Sequence, residues 1–515
     1  MSRLKRYAFS LASGYAALAV NIVFTLASVP LALKYLSKAE FGLWALCTQL
    51  AGYLALLDFG MSGAQSRILV DYKDEAGGTR YGETILTGFL VGLVQGIFLL
   101  VVGGLGLWLA GSAGAFSFEL GHEFRWLMLG QCGILGTTFV TRVFGNILWA
   151  HQRSDVANFS QMALFAANFA VLWLGLSRGA GVYSLLWGQL VGLILGLGIN
   201  IAACARLGLF PSRSHWGSPS RVRFRELFKL GKDVFFFALG GQMINTSQTL
   251  LVTPLLGLEA AGVWAVCIRP YSLICQLIWR ILDFSATPLS EMYVRGERDR
   301  FFERFRGVAV LTGAASAAGA VVFAACNQRF LEIWTHGAIG WSVWNDVLLG
   351  LWSVLMAVQR CHCGLLGVTK QLGTVKYVYF LEGVVFIGLA WLLARWFGFT
   401  GIIASSVIAT FCCSFMFGQY RSKVDFNLSW EELLGWMKPA VQIFLVMGPL
   451  AVGLWWVAGH MPRLPGLITM GGVTTMAGGW LVFRHGLDAR MQGRVAKKLP
   501  VWLKPLLPVP GISTH

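Results

Sequence analysis

The sequence predicts an all-α, polytopic membrane protein of about fourteen transmembrane helices, arranged as two six-helix lobes followed by two further helices. Three observations lead there. Of 515 residues, 56% are hydrophobic and only 13% charged, with a mean hydropathy of +0.65, a balance that soluble domains do not reach. Apolar runs of about 20 residues, the length that crosses a bilayer while satisfying its own backbone hydrogen bonds, fill most of the chain. Finally, the stretch from Asn21 to Asp58 recurs in decayed form from Asn245 to Asp283.

The duplication is specific at the residue level. Asn21, Thr25, Leu26 and Pro30 match Asn245, Thr249, Leu250 and Pro254 at identical spacing, and Gly42, Trp44 and Ala45 match Gly262, Trp264 and Ala265 after a short gap. Leu57-Asp58-Phe59 closes the first copy and Leu282-Asp283-Phe284 the second. Internal repeats on apolar segments with polar residues and prolines inside them are a mark of transporter architectures, whose functional centre is expected between two related halves.

Taken in order, spans are expected near 11–33, 41–60, 85–110, 124–148, 156–177 and 181–205, which form an N-terminal lobe over 1–210. A basic linker at 211–232 leads to a second lobe at 233–421, with spans near 233–256, 260–285, 307–330, 341–366, 376–396 and 400–420. Two more spans lie within 439–483, and a basic tail occupies 484–515. Six spans per lobe is an even number, so both copies enter the membrane in the same direction, as parallel repeats. The glycine triplet Gly188, Gly192 and Gly196 on the sixth span, and the pair Gly92 and Gly96 on the third, mark close helix contacts.

Charge placement tests this map. Of 41 Lys and Arg, seven (Lys34, Lys38, Arg125, Arg178, Arg329, Arg395 and Arg463) fall at outer positions, two (Arg269 and Arg280) lie within the eighth span, and the rest collect on the side of the N-terminus. By the positive-inside bias both termini are cytoplasmic. The formal charge of +17 is explained by these loops, so nucleic acid is not an expected partner; the basic linker instead suits anionic lipid headgroups. Ten cysteines, mostly inside spans, form neither a zinc pattern nor a disulfide framework. The cluster Cys361-His362-Cys363 does not converge on an ion, because neighbours on a helix diverge by about 100°. No cofactor and no metal are expected.

No loop is long enough for a catalytic domain, so candidate functional groups are polar residues inside the membrane. Asn21, Thr25 and Ser28 share one face of the first span, and Asn245 with Thr249 repeat it on the seventh. They serve either interhelical hydrogen bonding or the lining of a cavity, with Pro30 and Pro254 as points of bending. Arg269 lies nine residues into its span, about 14 Å deep, and beside Pro270. An arginine at that depth costs at least about 2.5 kcal/mol on insertion scales, so it is expected to meet an anionic substrate or an acid such as Glu382. Arg280 and Asp283, one helical turn apart, are expected to pair locally, as are Asp58 and Arg67. Arg142 either snorkels to the surface or faces the cavity. Glu382 is the acid set well inside a span, and a candidate proton or sodium site.

Pro30-Leu31-Ala32-Leu33, Glu40-Phe41-Gly42-Leu43-Trp44 and Leu56-Leu57-Asp58-Phe59-Gly60 together resemble the opening of the Wzx-type O-antigen and capsule flippases. These belong to the polysaccharide branch of the multidrug/oligosaccharidyl-lipid/polysaccharide exporter superfamily. The resemblance covers residues 7–421. It implies a MATE-like pair of lobes in the bacterial inner membrane and alternating access. The implied substrate is an undecaprenyl-diphosphate-linked oligosaccharide moved to the periplasmic leaflet for O-antigen, capsule or exopolysaccharide synthesis, beside a glycan polymerase and with no bond made or broken. It further implies that cationic cavity residues hold the diphosphate, a role carried over to Arg269 and, more weakly, to Arg142 and Arg280.

Three departures qualify the resemblance. Asn21 stands where lipid II flippases place arginines, which weighs against a lipid II substrate. The membrane acid of many cation-coupled drug exporters is missing from the first span. The two helices after 439 exceed the twelve of many polysaccharide flippases; in the lipid II branch such helices resemble a groove for the lipid tail. The alternatives are a cation-coupled multidrug or metabolite exporter and a lipid II flippase.

Overall fold

The computed structural model describes residues 3–73, 78–112, 120–151, 153–368, 374–488 and 491–493. It is built of helices and contains no strand among those residues. Two compact units result, Met1–Val266 and Cys267–His515.

The first unit comprises α1 (Arg3–Tyr35), α2 (Lys38–Leu54), α3 (Met61–Tyr72), α4 (Arg80–Ser112), α5 (Gly121–Ala150), α6 (Ser154–Ser177), α7 (Tyr183–Arg206) and α8 (Arg221–Leu256), with the first turns of α9 (Leu258–Val294). Packing follows the small-residue code. Gly188, Gly192 and Gly196 bring α7 onto α6, where the Ser160 hydroxyl donates to the Gly196 carbonyl at 3.0 Å, and Gly92 and Gly96 bring α4 onto α5. The α2 helix opens with a capping box: Ser37 accepts from the Glu40 amide at 3.1 Å, and the Glu40 carboxylate accepts from the Ser37 amide at 2.8 Å.

The division falls at Val266/Cys267, inside α9, rather than in the linker at 211–232. The reason is close backbone approach. A Cβ on Gly42 would collide with the Leu258 carbonyl, and one on Gly262 with that of Lys38, so the two glycines that match in the duplication lie against each other. The α8 helix packs on α2 and α3, and the Tyr53 and Ser247 hydroxyls meet across it.

The second unit continues with α10 (Arg298–Trp334), α11 (Val343–Val368), α12 (Val375–Thr410), α13 (Met416–Asp425), α14 (Trp430–Gly435), α15 (Lys438–Gly459) and α16 (Arg463–Leu481). Its centre is α10, against which α11, α15 and α16 pack. Alanines permit this approach: Ala314, Ala317, Ala318 and Ala440 pack with Ile443 and Met447.

Among the described residues, twelve helices are long and apolar enough to cross a membrane. The expected spans at 376–396 and 400–420 appear as one stretch, Val375–Asp425, bent at Gly398, whose φ of 55° and ψ of −130° interrupt the helical ladder. The expected span at 233–256 is helical as α8, but its run of Gln242, Asn245, Thr246, Ser247, Gln248 and Thr249 keeps it out of that set. These two features reconcile twelve with about fourteen.

Candidate functional site

The two copies of Leu-Asp-Phe organise the polar interior of the two units. In the first, a 3₁₀ turn over Ala55–Asp58 ends α2, and Phe59 (φ 49°) and Gly60 (φ 70°) reverse the chain into α3. Glycine suits the left-handed conformation because it carries no Cβ. The Asp58 carboxylate accepts from the Ser62 amide at 3.1 Å, which caps the start of α3. In the second copy Ser285 stands in place of Gly60, and α9 runs on helically; the Ser285 hydroxyl donates back to the Ile281 carbonyl at 2.8 Å.

Each aspartate forms an ion pair with an arginine from the fourth helix of its repeat. Asp58 pairs with Arg142 of α5, and Asp283 pairs with Arg360 of α11 at 2.9 Å. Aromatic rings lie beneath both guanidinium groups, Phe139 at 5.4 Å and Trp279 at 5.0 Å. The expected local pairs therefore do not form. Arg67 bonds Asp71 at 2.6 Å, one turn along α3, and Asp283 turns to α11 rather than to Arg280. The Arg360 guanidinium lies over Trp279 across the α9–α11 interface, whereas Phe139 and Arg142 share α5.

Arg142 neither snorkels nor stands free. It donates to Gln95 at 2.7 Å, and the Gln95 amide donates in turn to the carbonyls of Leu57 (2.9 Å) and Asp58 (3.1 Å). One turn along α5, Asn146 donates to Gln65 at 2.9 Å. These groups tie α2, α3, α4 and α5 together, and sequence reasoning missed Gln95, Asn146, Gln65 and Arg360. The available signal was an arginine on the fourth span of each half.

On α9, Arg269, Arg280 and Asp283 are exposed, and Gln276 is half-buried between them. Their spacing places them along one side of the helix, over about 21 Å. Arg360 adds its charge from α11 at the Asp283 end. Among the described residues, Arg269 has neither a hydrogen bond nor an ion pair. Glu382 is not its partner: that carboxylate is fully buried between α12 and its continuation, where the Thr410 hydroxyl donates to it at 2.8 Å and Trp352 donates to Thr410 at 3.1 Å. A π-helical turn over Phe411–Phe415 lies directly beyond Thr410, a distortion common at functional positions.

The other expected residues are more dispersed. Asn21 is half-buried and Thr25 buried on α1, which stacks Phe24 on Phe165 of α6 at 5.1 Å. Thr249 is buried on α8, and the Asn245 side chain lies outside the described residues. Both α1 and α8 remain helical through Pro30 and Pro254 to Tyr35 and Leu256. A wholly apolar groove of about 550 Å³ runs between α10, α11 and α15, with Val347, Leu351, Phe444, Val452 and Trp455 in its walls.

Comparison with known proteins completes this picture. The sequence model of a family described as "Polysaccharide biosynthesis protein" matches residues 10–293, more than half of the chain. The chain belongs to that family. No curated protein sequence matches it. Among solved structures it resembles the lipid II flippase MurJ in an inward closed conformation, with a TM-score of 0.69 at 14% identity over 93% of this chain and 99% of that one. It also resembles an inward-facing multidrug resistance MATE family transporter of the MOP superfamily, with a TM-score of 0.65 at 13% identity over 79% of this chain and 95% of that one. A MOP superfamily transporter from Pyrococcus furiosus scores 0.56 at 13% identity over 82% of this chain and 96% of that one. This family member therefore has the MOP fold, and the neighbours that share it are transporters and flippases.

Proposed function

We propose that this chain is a flippase that carries an undecaprenyl-diphosphate-linked oligosaccharide across the inner membrane by alternating access, for the synthesis of a surface polysaccharide. The observation that carries the reading is Arg269, an exposed arginine inside a membrane helix, with no bonded partner among the described residues. A cation so placed is costly against hydrocarbon and is offset by an anionic ligand; a guanidinium fork matches phosphate oxygens. Arg280, and Arg360 beside it, extend the same charge along α9 and suit a diphosphate followed by a polar glycan. The family match supports a polysaccharide cargo.

In this reading the apolar groove beside α15 receives part of the lipid chain, and Asn21, Thr25, Asn245 and Thr249 contribute polar contacts, with Pro30 and Pro254 at points of bending. Arg142 is assigned to the frame of the first unit, because it is 11% exposed and held by both Asp58 and Gln95, whereas Arg360 remains 42% exposed in its pair with Asp283. Glu382, buried among hydroxyls, favours one rival: as a proton or sodium site it would make the chain a cation-coupled exporter. Glu382→Gln separates the two. Loss of all transport favours coupling through Glu382, and retained transport removes it.

The test is mass analysis of undecaprenyl-linked glycans in cells with and without this chain, scored by access to a periplasmic glycan-cleaving enzyme. Accumulation of an inaccessible glycan in its absence is the expected result and identifies the cargo. Unchanged lipid-linked glycans would refute the proposal and leave drug or metabolite export as the leading account.

A further inference from the structure

A second polar cavity lies in the first unit, away from the arginines of α9. Where α3 ends, α4 begins and the segment after α7 folds back, Tyr72, Lys73, Tyr81, His151, Ser212 and His215 line a cavity of about 240 Å³. None of the described residues that line it is acidic.

The walls are fixed before any ligand arrives. Tyr81 gives its single hydroxyl hydrogen to the Leu209 carbonyl at 3.0 Å, a group that can only accept. Toward His151 Nε2, also at 3.0 Å, the Tyr81 oxygen must therefore accept, so that nitrogen carries a hydrogen. Phe210 stacks on Trp216 at 6.1 Å and meets the edge of Phe144 at 6.2 Å, and the backbone of His215 and Trp216 lies so close to Gly82 that a Cβ there would collide with it. The returning segment is thus clasped on α4 and α5.

Against this frame, donors remain. Lys73 donates one hydrogen to the Ala150 carbonyl at 3.0 Å, and an ammonium has three. His215 meets the Ser212 and Ser214 hydroxyls at Nδ1, and its Nε2 has no hydrogen-bond partner among the described residues. A concave, preorganised pocket whose described lining holds a fixed cation, an imidazole that donates from Nε2 whenever its Nδ1 accepts from the serine hydroxyls, and no carboxylate suits an anion with several acceptor oxygens. Arg206, Arg213 and Arg221 lie in the same stretches of chain and raise the local concentration of such anions.

We propose that this pocket binds a phosphate ester through Lys73 and His215, a chemistry offered both by an anionic phospholipid headgroup and by a free phosphate ester. The full-length protein in phosphatidylcholine nanodiscs, with and without phosphatidylglycerol, supplies the test. Native mass spectrometry reads lipid retention, and phosphorus NMR line broadening reads the binding of added glycerol phosphate. Retained phosphatidylglycerol that glycerol phosphate does not displace assigns the headgroup, whereas broadening in phosphatidylcholine discs alone assigns the free ester. Lys73→Gln with His215→Gln should weaken binding at least fivefold. His215→Gln alone, which leaves the Lys73 contact with Ala150 in place, should weaken it two- to threefold. Wild-type binding in both variants, or no binding of either ligand by the unaltered protein, would overturn the proposal. Neither result bears on Arg269, so this site stands or falls apart from the transport reading.

Discussion

Asp58–Arg142 and Asp283–Arg360 are the same ion pair in two copies of one ancestral segment, and they have taken opposite paths. The first is sealed, with side-chain exposures of 20% for Asp58 and 11% for Arg142 and with Gln95 as a third member. The second is open, with 37% for Asp283 and 42% for Arg360, and it ends a row of exposed cations on α9. One chemical unit can hold a scaffold when it is shielded from solvent, and can remain available to a ligand when it is not. The copies differ at the position after Leu-Asp-Phe: Gly60 joins Phe59 in the left-handed turn that carries Asp58 into a cap, whereas Ser285 lies within the continuous helix α9, with Asp283 on its exposed side.

The largest expected effect is at the sealed pair. Asp58→Ala strands a buried guanidinium and should lower the stability of the detergent-solubilised protein by about 3–5 kcal/mol, read as loss of folded monomer on heating. A double-mutant cycle with Arg142→Ala should show strong non-additivity, and additive losses would dissolve the distinction between the pairs. A smaller effect is expected of Gly60→Ser, which writes the second copy's residue into the first. Holding a side chain in the left-handed region costs about 1–2 kcal/mol, and Ser285→Gly should cost less than that. Smallest in stability is Asp283→Ala, within about 0–1 kcal/mol because that pair is half exposed. Its effect is expected in transport, where freeing Arg360 alters cargo affinity at normal membrane levels of the protein. A loss of stability equal to that of Asp58→Ala would mean that the open pair is a scaffold too.

Much of this was legible in the sequence. The helical class, the duplication and the glycine contacts on α7 and α4 all follow from periodicity and spacing, which act within one helix or between chain neighbours. The ion pairs did not follow, because their partners are brought together by packing: Asp283 and Arg360 stand 77 residues apart, and an arginine near a helix end looks like any other surface charge. The i,i+3 rule pointed instead to Arg280. The position of the division at Val266 was hidden for a similar reason, since the meeting of Gly42 with Gly262 is a contact between copies, and a repeat states only that two residues correspond. Glu382 was visible as a lone membrane acid, but its enclosure by Thr410 and the π-helical turn was not.

The central claim is that Arg269, exposed on α9 and with no bonded partner among the described residues, holds the anionic part of a lipid-linked cargo. Its most direct measurement is leaflet-resolved export of the undecaprenyl-linked glycan by cells expressing Arg269→Ala and Arg269→Lys at equal membrane levels. The account predicts loss of export in the alanine variant and partial export in the lysine variant, which keeps the charge without the planar fork. Full export by Arg269→Ala would contradict it.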